Sequence, residues 1–376
     1  MESLLKRKLQ RGQSNAAGGK QYSAFADQHT SHSHPNQTAV RHYAVSGADW
    51  GQTIHFTLNT NNLIRNMWLV VQLADADGNY CEDVGLALID ELRFRYAGQT
   101  FHDYDYKNVC FAQMQKVLDA EARAEIKRLA GGAAKKDPGK VVVPLYNFWS
   151  SYCKAHPSHT GEVWSNGGSA QRLEIEIKFA AKGDCSTGGT QAISDVQFYF
   201  EEILVSPALE SSLKARGRNP RPRMDYNEIV NVACDKGVET KIDLSPLVSG
   251  GNIRQLIIRP RVGVAATRDP LACTRPDRCR LLVNGQELFD EEEPLLSQKQ
   301  LLEGYRKVDE NETDFPLCIP FCLDPQGKDS SGYLPHTNDQ IDLYLTFPSD
   351  ETVDIIGEYE RIFERKTGGR IDKRDA

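Results

Sequence analysis

The feature that most constrains this chain is a series of short strand-like segments that occurs twice in the same order. From about residue 50, short runs alternate apolar and polar positions and are separated by Gly, Asn, Asp and Pro, as half-buried strands of an all-β sandwich are. GQTIHFTLN (51–59), NMWLVVQL (66–73), LALIDELRFRYA (86–97) and QTFHDY (99–104) come first. A helical pattern follows over 107–130 and ends at Gly131–Gly132, where glycines suit a helix C-terminus. KVVVPLYNFW (140–149), EVW (162–164), RLEIEIKFA (172–180) and DVQFYFEEILV (195–205) complete the set. Alternation is strictest in RLEIEIKFA. Leu173, Ile175, Ile177 and Phe179 share one face and charges share the other, so one face must be buried.

Residues 206–224 (SPALESSLKARGRNPRPRM) interrupt the pattern with prolines and an arginine run. The order then returns: VETKIDLS (238–245), NIRQLIIRPRV (252–262), and RCRLLVNGQELFD (278–290), which reads as two strands around an Asn284–Gly285 hairpin turn. Pro294 opens a predicted helix to about 307, preceded by the acidic run Asp290–Glu293 that a helix dipole favours. DFPLCIPFCL (314–323), SGYL (331–334), QIDLYLTFP (340–348) and TVDIIGEYERIF (352–363) follow. Five anchors match in order: Ile64–Arg65 with Ile253–Arg254, Gly98–Gln99 with Gly285–Gln286, Pro144–Leu145 with Pro316–Leu317, Leu173–Phe179 with Ile341–Phe347, and Glu201/Ile203 with Glu360/Ile362. Their offset shrinks steadily from 189 to 159. Such ordered self-similarity predicts a structural duplication. Eight strands per copy fit a jelly roll, two facing four-stranded sheets. The predicted fold is therefore all-β: two tandem eight-stranded jelly rolls, each with one inserted helix. The boundaries read as an N-terminal arm (1–48), jelly roll 1 (49–205), a basic linker (206–224), jelly roll 2 (225–363) and a basic C-terminal tail (364–376).

Charge supports this division. The net charge is −7, yet residues 1–41 carry six basic and two acidic residues, 214–223 five and none, and 361–376 six and three. An acidic body thus bears basic tails and a basic linker, so only the tails suit phosphate or an anionic surface. Within the arm, Lys6, Arg7, Lys8 and Arg11 stand beside Leu4, Leu5 and Leu9. The N-terminal stretch lacks the apolar core of a secretory signal, and no apolar run is long enough for a membrane-spanning helix. Nine cysteines occur without a CxxC, which predicts reduced, buried thiols.

The residues that resemble chemical motifs fail their requirements. His29, His32 and His34 include an HxH, but a cupin metal site needs it on a barrel strand, and the second copy has only His336. Gly132 and Gly139–Lys140 have the wrong spacing for a phosphate loop, and no Ser or Thr follows Lys140 to hold magnesium. No GxSxG nucleophile elbow is present. Glu174 and Glu176 read as outward strand charges, and Trp50, Trp68, Trp149 and Trp164 as packing residues. The sequence therefore predicts no catalytic, cofactor or metal site, and no enzyme.

IDELRFRYAGQTFHDYDYKNVCFAQM (89–114) is similar to the strand, Gly–Gln turn, strand and helix element of the double jelly-roll major capsid proteins. PLYNFWSS (144–151) resembles the Pro–Leu–aromatic strand that comes next in that family, and VDIIGEYERIF (353–363) resembles its last strand. The family spans tectivirus-like and marine membrane-containing phages, the adenovirus hexon and the large nucleocytoplasmic DNA viruses. The resemblance covers residues 50–363, and the short second copy fits a small or phage-like capsid. It implies homotrimers whose six barrels make a pseudo-hexagonal block, and blocks that tile an icosahedral shell around the genome. It also implies residence in the virion after synthesis in host cytoplasm. The implied partners are neighbouring capsomers and penton or minor capsid proteins, with an internal membrane or the genome reached through the arm. Two other readings stay open: a minor or vertex capsid protein of the same fold, and a two-barrel carbohydrate-active or carbohydrate-binding protein.

Overall fold

A computed structural model describes residues 22–23, 38–45, 48–60, 62–74, 77–105, 120–145, 162–165, 172–187, 190–203, 221–248, 252–261, 274–296, 317–321, 334, 340–365 and 371–375. The described residues form two modules with one strand order.

In the first module, β2 (Thr38–Val45), β10 (Ile193–Ile203), β4 (Leu63–Leu73) and β7 (Lys140–Pro144) make one sheet. β1 (Tyr22–Ser23) and β8 (Glu162–Ser165) add a short edge, β8 pairing with the start of β4. β3 (Thr53–Leu58), β9 (Leu173–Phe179), β5 (Ile89–Tyr96) and β6 (Gln99–Asp105) make the facing sheet. The second module repeats both sheets. β11 (Arg221–Cys234), β18 (Glu351–Arg365), β13 (Ile253–Arg261) and β16 (Leu317–Pro320) form one, and β12 (Thr240–Asp243), β17 (Ile341–Thr346), β14 (Arg278–Val283) and β15 (Gln286–Glu292) the other. Strand by strand this is one jelly roll twice, and the predicted fold class holds.

Each module closes around its own apolar core, as sheets with one hydrophobic face require. Leu173, Ile175, Ile177 and Phe179 are fully buried in the first, and Ile341, Leu343, Leu345 and Phe347 are buried in the second. The two predicted hairpins are equivalent. Gln99 pairs with Tyr96 and Gln286 with Val283 across two-residue turns. Ala97–Gly98 and Asn284–Gly285 all have positive φ (54°, 74°, 52°, 74°), the geometry that matches the right-handed twist of the flanking strands. Both Ile–Arg anchors lie where β4 or β13 shifts register against its neighbour.

The helical elements are short. α1 (Val84–Ala87) is wholly buried and occupies part of what the sequence suggests is a strand over 86–97, so the strand itself starts at Ile89. α2 (Ala120–Leu129) is the described part of the helix expected over 107–130. Its end is capped as Gly131–Gly132 foretells: the Gly132 amide donates to the Lys127 carbonyl and the Gly131 amide to that of Arg128. α3 (Lys182–Cys185) and α4 (Ser245–Val248) are single turns. Residues 293–296 are helical, and the rest of the helix expected to 307 lies outside the described residues. Asp290–Glu292 belong to β15, so they complement the strand beside them rather than a helix dipole.

Three boundaries move. β2 begins at Thr38, inside the segment read as an arm to residue 48. β11 begins at Arg221, inside the segment read as a linker to 224. The C-terminal segment read as a tail contains β19 (Ile371–Asp375), which pairs antiparallel with the end of β18. Each of these strands is basic or only weakly alternating, so its local pattern does not announce it. Pairing to a long neighbouring strand supplies its stability instead.

Candidate assembly surfaces

The two modules meet through one sheet face. On β18, Val353, Ile355 and Tyr359 join the second core, which leaves Asp354, Ile356 and Glu358 on the outer face of that sheet. Those three are nevertheless buried, as are their cross-strand partners Arg259, Ile257 and Gln255 on β13. Tyr226 of β11 pairs with Glu358 on that same face and packs against the first core. β11 and β19 both touch β6 of the first module. The face is rich in charge for a buried surface. Asp354 is kept satisfied by an amide hydrogen bond from Asn231 at 2.9 Å, as buried charges must be.

The outer faces of the β3–β9–β5–β6 and β12–β17–β14–β15 sheets are covered with ion pairs. Arg93 of β5 lies at the centre of the first. Its Nε donates to Asp103 Oδ1 at 2.9 Å, one Nη to Glu176 Oε1 at 2.8 Å and the other to Glu91 Oε2 at 2.5 Å. Hydrogen bonds to Asp103 and then Glu176 hold its pKa above the ordinary arginine value. Lys178 bridges Glu91 at 2.5 Å and Asp90 at 3.1 Å, and its pKa is raised by the same two hydrogen bonds. At the matching position of the second module, Arg280 lies 4.3 Å over the Tyr344 ring and donates to Glu239 at 2.5 Å. Beside it, Arg278 pairs with Asp290 and lowers that carboxyl's pKa. Chemically these faces present paired charges at fixed positions. Such an array suits electrostatic matching to another surface.

Of the residues singled out from sequence, Glu174 and Glu176 are partly exposed on the outer face, as the alternation predicts. Trp50 is half-buried against the first core, its Nε1 donating to the Gln191 carbonyl at 3.2 Å, and Trp68 is half-buried on β4. The side chains of Trp149 and Trp164 lie outside the described residues, as do His29, His32, His34, His336 and residues 214–220. Arg221 and Arg223 are part of β11. The Gly132 amide is used to cap α2, the Gly139 carbonyl accepts from the Leu73 amide at 3.0 Å, and Lys140 opens β7. That stretch is a helix-to-strand connection. Among the described residues, no three His, Cys, Asp or Glu side chains stand close enough together to hold a metal ion. Cys81, Cys185, Cys234, Cys279 and Cys318 are buried thiols, and burial pushes the Cys279 pKa up.

Sequence reasoning does not find one surface feature. A cleft of 260 Å³ opens between β15 and β16, lined by Leu288, Phe289, Leu296, Ile319 and Phe321 among others. Leu288 and Leu295 beside it are 56% and 48% exposed. A contiguous apolar patch of this kind on an otherwise charged module marks a contact site.

No protein-family model matches the chain, and no curated protein does. Solved structures match it over nearly its full length. VP54 of PBCV-1, fitted into a cryo-EM reconstruction of the virophage Sputnik, aligns with TM-score 0.69 and 12% identity over 90% of this chain and 97% of its own. The Faustovirus major capsid protein aligns with TM-score 0.67 and 12% identity over 91% of each chain. The mavirus major capsid protein aligns with TM-score 0.54 and 8% identity over 89% of this chain and 90% of its own. The strand order, the paired cores and these alignments agree: the chain has the double jelly-roll fold found in viral major capsid proteins.

Proposed function

We propose that this chain is a viral major capsid protein with a purely structural role. Three copies form a pseudo-hexagonal block of six jelly rolls, and the blocks tile an icosahedral shell around the genome. The observation that carries the reading is the tandem repetition of one complete jelly roll along a chain that aligns end to end with major capsid proteins. The surface chemistry supports it, since the strongest charges are spent on cross-strand ion pairs. The basic N-terminal segment faces the interior and anchors to a membrane or the genome, where cationic residues beside leucines gain most from an anionic surface.

The test is the mass of the recombinant chain by size-exclusion chromatography with light scattering. A stable species near three times the 42.1 kDa subunit, about 126 kDa, is expected. A strict monomer at tens of micromolar contradicts the proposal.

A further inference from the structure

Phe101 and Leu288 occupy the same place in the duplicated module. Each lies three residues after the glycine of its hairpin turn. Each is also the residue skipped where the register shifts, Phe101 between the pairs Phe94–His102 and Arg95–Thr100, and Leu288 between Leu281–Phe289 and Leu282–Glu287. A residue bulged from a strand is re-aimed out of the regular alternation, so its surroundings depend on what packs beside the edge. Phe101 is 3% exposed and part of the first core, whereas Leu288 is 56% exposed.

The modules differ in their neighbours along the chain. β6, which carries Phe101, meets β11 and β19 of the second module, and Tyr226 of β11 packs against the first core. Among the described residues, β15, which carries Leu288, meets neither the first module nor any strand but β14 to the extent that β6 meets β11. Its neighbourhood is nonetheless built as a seat, with a cleft lined by Leu288, Phe289, Leu296 and Ile319, and with Leu295, the chain neighbour of Leu296, also exposed. Charge obeys the same template. The β6 sequence carries Asp103 and Asp105, and the matching β15 positions are Asp290 and Glu292. The strands that meet β6 bring cations to it, Arg221 and Arg223 in β11 and Lys373 and Arg374 in β19, although Asp225, Glu228, Asp372 and Asp375 balance the charge of each strand. β2, the counterpart of β11 in the first module, carries Arg41 and comes after the basic N-terminal segment.

We infer that the β15 edge, with Leu288 as its anchor, docks on the first module of a second copy of the chain, against β2. This repeats between chains the contact that β6 makes with β11 within one. The inference rests on the trimer reading and names its joint. The contact is head-to-tail, and such contacts close into a ring when their rotation allows it. Three copies then alternate an internal and an external version of one joint around six modules. An acidic edge on a basic partner makes the external joint weaken as salt rises.

The full-length chain tests this with two substitutions. Leu288→Asp, at a mostly exposed position, is expected to keep its far-UV circular dichroism and cooperative melting while shifting the trimer to monomer. The dissociation constant should rise roughly thirty-fold or more, as for loss of a central apolar anchor. Leu288→p-benzoylphenylalanine, photolysed in a mixture of isotopically light and heavy chains, is expected to cross-link between copies to a peptide spanning residues 38–48. An unchanged trimer with Leu288→Asp overturns the inference and leaves the trimer reading intact. So does a cross-link that maps to the N-terminal leucine segment, to the second module or to another protein. A wild-type chain that is monomeric throughout overturns the trimer reading and the joint together.

Discussion

Ile177 illustrates what alternation dictates residue by residue. It is fully buried on β9, directly across from Ile54 on β3 and Leu92 on β5, so three strands contribute to one apolar row. Ile177→Ala removes three carbons from a site held by strands on both sides, and little collapse is available to fill the space. It should cost about 2–5 kcal/mol, read as a lower denaturation midpoint at unchanged m-value. A midpoint equal to wild type contradicts this placement. Inward-facing residues of this kind were legible because period-two alternation has one physical reading. The exposure of Leu288 was not. Its twin Phe101 is apolar and buried, and nothing local to either segment says that one edge is covered by the next module and the other is not. The buried charges of β13 and β18 were hidden for the same reason. Arg259, Asp354 and Glu358 alternate with core residues and read as solvent-facing, yet all three are buried.

At the scale of elements, the hairpins at Gly98 and Gly285, the central strands and the capped helix α2 could be read directly, because turn chemistry and caps are local. Two facing four-stranded sheets per module were also expected and are present, with β1, β8 and β19 added at their edges, but one member of each expected set of eight changed. β2 and β11 take the missing places in the four-stranded sheets, while EVW forms the short edge strand β8 and Leu334, the described residue of SGYL, bridges Ile253. β2 pairs along its whole length with β10, near the other end of the module, and β11 with β18 in the same way. Pairing over such sequence distance leaves no mark on a window of ten residues. Arg221-Pro222-Arg223 is also a poor strand signature until β18 is placed beside it. These boundaries sharpen one expectation. Deleting residues 2–20 removes the basic leucine segment and stops short of β1 and β2, so both modules stay whole. The truncated chain should form trimers of normal melting temperature but defective shells, seen by electron microscopy and nuclease protection of packaged nucleic acid. Full-size, genome-containing particles at normal yield would show that the segment anchors nothing.

For the whole molecule, the duplication makes two similar modules differ in what they are free to touch. The first is spent partly on the second, through β6, β11, β19 and the buried outer face around Glu358. The second keeps an open apolar edge at β15. In the proposed trimer, the copy of the joint left exposed in one chain is covered by the next chain, and closure after three copies covers every joint. That is the physical content of the capsid reading. Single-particle electron microscopy of the purified oligomer tests it most directly. Class averages down the molecular axis should show six similar barrel densities in a near-hexagonal outline, three from each kind of module. Averages showing a monomer, a two-fold dimer or an open filament would contradict it.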